Sequence, residues 1–211
     1  MILEIIAIAS TALGEMTTAD PVTMVAPIAA ALAAVVVIYG RGHIGDDTAF
    51  WRAVRGLLPH VDEAARDHGF YTTYSIDAEA EFVGRWRGRL AGLETALDDR
   101  GAKPGPLAAH KDTDDGRREV GSWVYFGRDI SSWPKPIRVA YLWVTPYHLH
   151  ITLFPAADGD GYDVTAHYEY SAYSPFVAYW HLRAKFYDIE EGVRRARALL
   201  NDADRLSVPK E

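Results

Sequence analysis

Three histidines and a carboxylate recur at alternating positions in two neighbouring segments, His148–Phe154 and Asp163–Tyr170. Side chains alternate faces along a strand, so His148, His150 and Thr152 share one face and Leu149, Ile151 and Leu153 the other. In the second segment Thr165, His167 and Glu169 alternate in the same way with Val164, Ala166 and Tyr168. Burying both apolar sets together sets the parity of the pair, and this brings the two polar sets onto one face. With Asp158-Gly159 as the turn, His150 lies opposite His167 and His148 opposite Glu169. With Asp160-Gly161 as the turn, the pairing slides and the cluster spreads, although the faces are unchanged.

Neutral imidazoles with a carboxylate suit zinc, iron or another transition metal. His148, His150, His167 and Glu169 are therefore the candidate metal ligands, and a transition metal is the one cofactor the residues suggest. The competing reading is an ordinary solvated sheet face, with Glu169 opposite His148 as a plain cross-strand pair. No catalytic residue is assigned.

Other patterns carry less. His150-Ile151-Thr152-Leu153 is half of the paired H-x-T-x signature with which two-histidine phosphoesterases act on phosphodiesters, and no other histidine here is followed two positions on by Ser or Thr. Asp158-Gly-Asp160-Gly-Tyr-Asp163 lacks the ligand spacing and terminal Glu of a calcium loop, and reads as a hairpin turn. The chain has no cysteine, so thiolate chemistry and disulfides are excluded. Its net charge of −7 argues against nucleic acid as a partner. Aromatic residues crowd Tyr168–Tyr187, and that segment reads as packing or a protein contact surface. Arg194, Arg195 and Arg197 read as a solvated helix face.

The elements that must position these residues follow from periodicity and punctuation. Asp46 and Asp47 cap a helix that Gly69 ends. Phe82–Trp86 reads as a strand leading into a helix at about Arg89–Arg100. Leu107–Lys111 and Arg117–Phe126 flank Asp114-Asp115-Gly116, a hairpin signal. Gly127–Pro136 reads as loop, and Val139–Val144 and His148–Phe154 as strands broken at Thr145-Pro146. Asp188 with Glu191 forms a capping box for a helix to Leu200, with Ile189, Val193, Ala196 and Leu200 as its buried stripe. The expected fold class is α+β: a two-layer sandwich of mostly antiparallel strands with helices on one face, preceded by a single transmembrane helix.

That transmembrane helix is the uncharged run Val22–Tyr39, eighteen residues long. At helical rise it covers about 27 Å, close to the hydrocarbon thickness of a bilayer. Its strongly apolar residues favour insertion by about 2.5–5 kcal/mol. The expected organisation is an acidic and apolar tail at 1–21, the span at 22–39, a juxtamembrane helix at 40–69 and the α+β domain at 70–211. Upstream lie only acidic charges, and Arg41, Arg52 and Arg55 follow the span. The positive-inside rule then puts the N-terminus outside and the domain in the cytoplasm.

The segments GDDTAFWRAVRGLLPHVD, GRREVGSWVYF, LHITLFPAADG and AHYEYSAYSPFVAYWHLR resemble an uncharacterised membrane-anchored family of haloarchaea and their tailed viruses or proviruses. The resemblance covers the chain from Gly45 onward, implies a salt-adapted archaeal or viral setting, and brings no activity or site residues. Seventeen arginines against five lysines, and Asp in excess of Glu, agree with that setting. The expected function is a membrane-tethered, non-enzymatic interaction or structural domain with the membrane and an unknown protein as partners. The alternative is a membrane-anchored metal-dependent or phosphodiester-acting enzyme using the His148–Glu169 hairpin.

Overall fold

Strict alternation over two long segments produces the central hairpin of the molecule. The computed structural model describes residues 75–105, 111–182, 185–201 and 206–208. Strands β1 (Ser75–Ile76) and β2 (Phe82–Trp86) precede helix α1 (Leu90–Asp98). There follow β3 (Lys103–Pro104), β4 (Asp112–Thr113), β5 (Gly121–Tyr125) and helix α2 (Lys135–Val144). The hairpin itself is β6 (Tyr147–Pro155) and β7 (Tyr162–Tyr170). Helix α3 (Ala178–Leu182), β8 (Tyr187–Asp188), helix α4 (Ile189–Leu200) and β9 (Leu206–Ser207) complete the order. The expected tail, span and juxtamembrane helix lie outside the described residues, as does most of the expected Leu107–Lys111 strand. Among the described residues no helix is long and apolar enough to cross a membrane.

The main sheet is antiparallel throughout, in the order β3-β5-β6-β7-β2-β9, with β8 also on β7. The α+β class is as expected. Register follows the Asp158-Gly159 alternative, with His150 opposite His167 and His148 opposite Glu169. The reversal is longer than a two-residue turn: Ala156 N still bonds Gly161 O, and Gly159 sits at φ 76°.

One face of this sheet is the apolar core. Leu149, Ile151, Leu153, Val164 and Ala166 pack with Val83, Trp86 and Trp123 beneath Leu93 and Leu97 of α1 and Ala196 and Leu200 of α4. Helix α4 begins as expected, with the Asp188 carboxylate accepting from Glu191 N at 2.9 Å. The Glu191 carboxylate turns to Arg194 and Arg195 instead of back to the cap. Of the expected stripe Ala196 and Leu200 are buried and Val193 packs beside the core, and Gly192 is buried with them in place of Ile189. Helices are not confined to this face, because α3 places His181 against His148 on the other (ring centroids 5.9 Å apart).

Two expected elements differ. Val139–Val144, read as a strand from its β-branched and aromatic residues, is the end of helix α2. Pro134 and Pro136 frame the helix start, where a fixed φ and a missing N–H fit the first turn. The Asp114-Asp115-Gly116 turn does form, with Gly116 at φ 81°. It does not open into a long hairpin: β4 pairs instead with β1 in parallel, and Arg118 only bridges to Asp112.

Candidate metal centre

The polar face of the hairpin is buried, contrary to the solvated face that its residue types suggested. His148, His150, Thr152, Thr165, His167 and Glu169 are all at most 7% exposed. The sheet provides the floor of the site and four other segments bring groups to it.

Glu169 Oε1 is the centre. His150 Nδ1 lies 2.9 Å from it, His148 Nε2 3.3 Å and His167 Nε2 3.5 Å. His150 Nδ1 and His167 Nε2 are 3.1 Å apart. Donors at zinc bond lengths in a tetrahedron stand about 3.3 Å from one another. The distances from Glu169 Oε1 to the three imidazoles, and from His150 to His167, are close to that size. His148, His150 and Glu169 offer one donor atom each, all within 4.8 Å of one another.

Outer groups orient these donors. Ser122, paired with Thr152 on β5, reaches His150 Nε2 at 2.7 Å and leaves Nδ1 facing Glu169. An irregularity in the β2–β7 pairing lets Ala166 N donate to Glu81 O, which seats Glu81 beside His167. Glu81 Oε2 then lies 2.7 Å from His167 Nδ1, and Tyr187 donates to Glu81 Oε1 while stacking on the His167 ring. A carboxylate on the far nitrogen of an imidazole is the usual outer support of a metal-bound histidine. On the other side His181 Nδ1 lies 3.3 Å from Glu169 Oε2 and 2.8 Å from Tyr170 O.

Lys111 is the competitor. Its Nζ is 3.3 Å from His167 Nε2 and it is only 6% exposed. A lone pair given to Lys111 is not available to a metal. His148 Nδ1 and Thr152 Oγ1 are buried with no hydrogen-bond partner among the described residues.

Sequence reasoning missed Glu81, Lys111, Ser122, His181 and Tyr187, which come from separate segments with no shared period. One signal was present but reversed. Thr165-Ala166-His167 is the H-x-T pattern read backwards, and on an antiparallel partner it puts Thr against Thr and His against His.

The electrostatics bind this layer to the fold. Burial pushes the His148 and His150 imidazoles down, the second well below its ordinary range, and both stay neutral. Burial alone would raise Glu169, but the charge of His181 and the bonds from His148 and His150 hold it well below the usual carboxylate range. Burial also opposes ionisation of Glu81, and the bond from His167, with the charge of Lys111 and the bond from Tyr187, outweighs it. His181 goes up: burial disfavours its charge, but Glu169 beside it prevails.

The signs define a pH profile. Neutral His148 and His150 stabilise the fold above about pH 6.5, and the unfolded chain gains by protonation below it. The two carboxylates contribute above about pH 4.3, a contribution lost as pH falls through their lower folded values. His181 contributes fully below about pH 6.5 and its share is lost as pH rises through its raised folded value. The thermal midpoint in chelating buffer should therefore peak near neutrality, fall steeply on the acid side and gently on the alkaline side. His181→Gln should flatten the alkaline limb and, because the His181 charge helps to hold Glu169 down, move the acid limb to higher pH.

Comparison with protein-family models, with curated proteins and with solved structures gave no match.

Proposed function

We propose that this chain is a membrane-tethered, non-enzymatic domain whose polar layer is closed by a structural transition metal. The observation that supports it is the convergence of His148 Nε2, His150 Nδ1 and His167 Nε2 on Glu169 Oε1, at 3.3, 2.9 and 3.5 Å, in a buried layer. Closed four-donor sites are structural, whereas catalytic sites keep a position open to substrate. His148, His150 and Glu169 hold the ion, and His167 joins them when Lys111 withdraws. The tether rests on the Val22–Tyr39 run, and the haloarchaeal or viral setting rests on the sequence resemblance.

The enzyme reading has less support. Paired histidines acting on a phosphodiester must stand on either side of the phosphate. His150 and His167 are in contact at 3.1 Å and buried to 3% and 0% exposure, which leaves no place between them.

Purified full-length chain, stripped with chelator and titrated with zinc, should take up about one equivalent and rise in thermal midpoint, as ligand binding to the folded state requires. Unchanged stability and no uptake would discard the metal. Lys111→Met should tighten zinc binding by about tenfold, because a cation and a competing donor leave the site together. Full-length protein should also resist alkaline extraction from membranes, whereas a chain starting at Arg41 should not.

A further inference from the structure

The two oxygens of Glu169 face different groups. Oε1 meets the three candidate ligands, His150 Nδ1 at 2.9 Å, His148 Nε2 at 3.3 Å and His167 Nε2 at 3.5 Å. Oε2 turns the other way, to His181 Nδ1 at 3.3 Å. The same nitrogen lies 2.8 Å from Tyr170 O. Carboxylate and carbonyl oxygens only accept, so His181 Nδ1 carries a proton and faces both of them as a donor. A ring nitrogen that carries a proton has no lone pair for a metal. His181 Nδ1 is therefore not a ligand, although its ring centroid stands 5.9 Å from that of His148. The setting of His181 also differs from theirs. It sits on the short helix α3, outside the sheet, and its side chain is 16% exposed against 2%, 3% and 0% for His148, His150 and His167.

We propose that His181 is a positioning residue that sets the selectivity of the metal centre: by donating to Oε2 it keeps Glu169 to one metal-binding oxygen. A carboxylate binds a cation through one oxygen or through both. With His148, His150 and His167, one oxygen makes four donors, the set that suits tetrahedral zinc, whereas both oxygens make five. Ions that need six donors, such as manganese, gain from the second oxygen and from water beside it. His181 withholds both, because it occupies Oε2 and covers the side on which the layer comes nearest to solvent. Groups that orient a ligand from outside the coordination sphere commonly tune the metal in this way. This role rests on the metal reading above and adds selectivity to it.

Cobalt(II) in place of zinc reports the geometry, because tetrahedral cobalt absorbs visible light far more strongly than five- or six-coordinate cobalt. Full-length chain is stripped with chelator and loaded with one equivalent of cobalt, beside His181→Ala and His181→Asn. The parent should show the intense tetrahedral bands. In His181→Ala they should weaken severalfold, and the preference for zinc over manganese in competition titrations should fall by at least about tenfold. His181→Asn should restore both, because its amide nitrogen stands where the imidazole has Nδ1 and donates to Oε2. Should the alanine variant not fold, infrared difference spectra of the parent, zinc-loaded against stripped, read the same point. Carboxylate stretches lie far apart when one oxygen binds and close together when both do. Weak bands in the parent, unchanged bands in His181→Ala, a loss that His181→Asn does not rescue, or close-set stretches each overturn the positioning role and spare the metal. A parent that takes up neither cobalt nor zinc overturns the metal reading and this role with it.

Discussion

Glu169→Gln should lose zinc binding by at least about a hundredfold and, in chelator, should also destabilise the domain by about 3–5 kcal/mol. The substitution keeps the shape of the side chain, so both effects report the lost charge and lone pairs. Glu169 lies within 3.5 Å of four imidazoles, those of His148, His150, His167 and His181. At 7% exposure water cannot replace it. The amide leaves His181 as a buried cation without its carboxylate, and breaking one side of a buried pair is the costly way to lose it. The two readouts separate the two roles. Calorimetric zinc binding equal to the parent's would remove Glu169 from the metal site. Denaturation in chelator unchanged from the parent's would show that the histidine–carboxylate layer adds nothing to the fold. His150→Ala should lose zinc binding as well, with a smaller cost in chelator because its ring is already neutral.

Gly192→Ala should destabilise the domain by about 3 kcal/mol or more, although alanine is the better helix former. Helix propensity favours the change by about 1 kcal/mol. Sterics oppose it more strongly: the added Cβ would stand 2.2 Å from His167 Cα and 2.4 Å from His167 C. Both atoms are backbone in the central strand and cannot turn aside. His167 directs its ring to the polar face, so its apolar side is bare between Ala166 and Tyr168, and α4 crosses there. Moving α4 outward opens the core around Ala196 and Leu200 and displaces His167 from below. Denaturant midpoint should fall, and the imidazole resonances of His167 and His150 should shift in the same variant. Gly159→Ala is the contrast. It meets nothing within 4 Å and carries only the strain of φ 76°, about 1–2 kcal/mol. Equal losses in the two variants would mean that helix contact at Gly192 is not what holds β7.

Local pattern made part of this molecule legible. Alternation from His148 to Glu169 carried both faces of the hairpin and, with one of two turns, its register. Asp188 three residues before Glu191 located the start of α4. Each of these depends on neighbours a few residues apart, where backbone geometry couples side chains directly. Helix α2 shows the limit within that range: Val139–Val144 has strand-forming residues, and the helix starts because prolines frame its first turn.

Tertiary structure decided the rest. The period of a strand states which side chains share a face and is silent on what covers it. His148, His150 and His167 look the same in a solvated face as in a closed one. Glu81, Lys111, Ser122, His181 and Tyr187 turn that face into a site, and they lie up to 86 residues from the histidines they touch. No local rule couples groups so far apart. They meet because the apolar face must be buried first, and folding the sheet under α1 and α4 delivers their segments to the opposite side. By itself the sequence determined which residues could hold a metal; packing decided that they stand together, out of water, with Lys111 in competition for one of them.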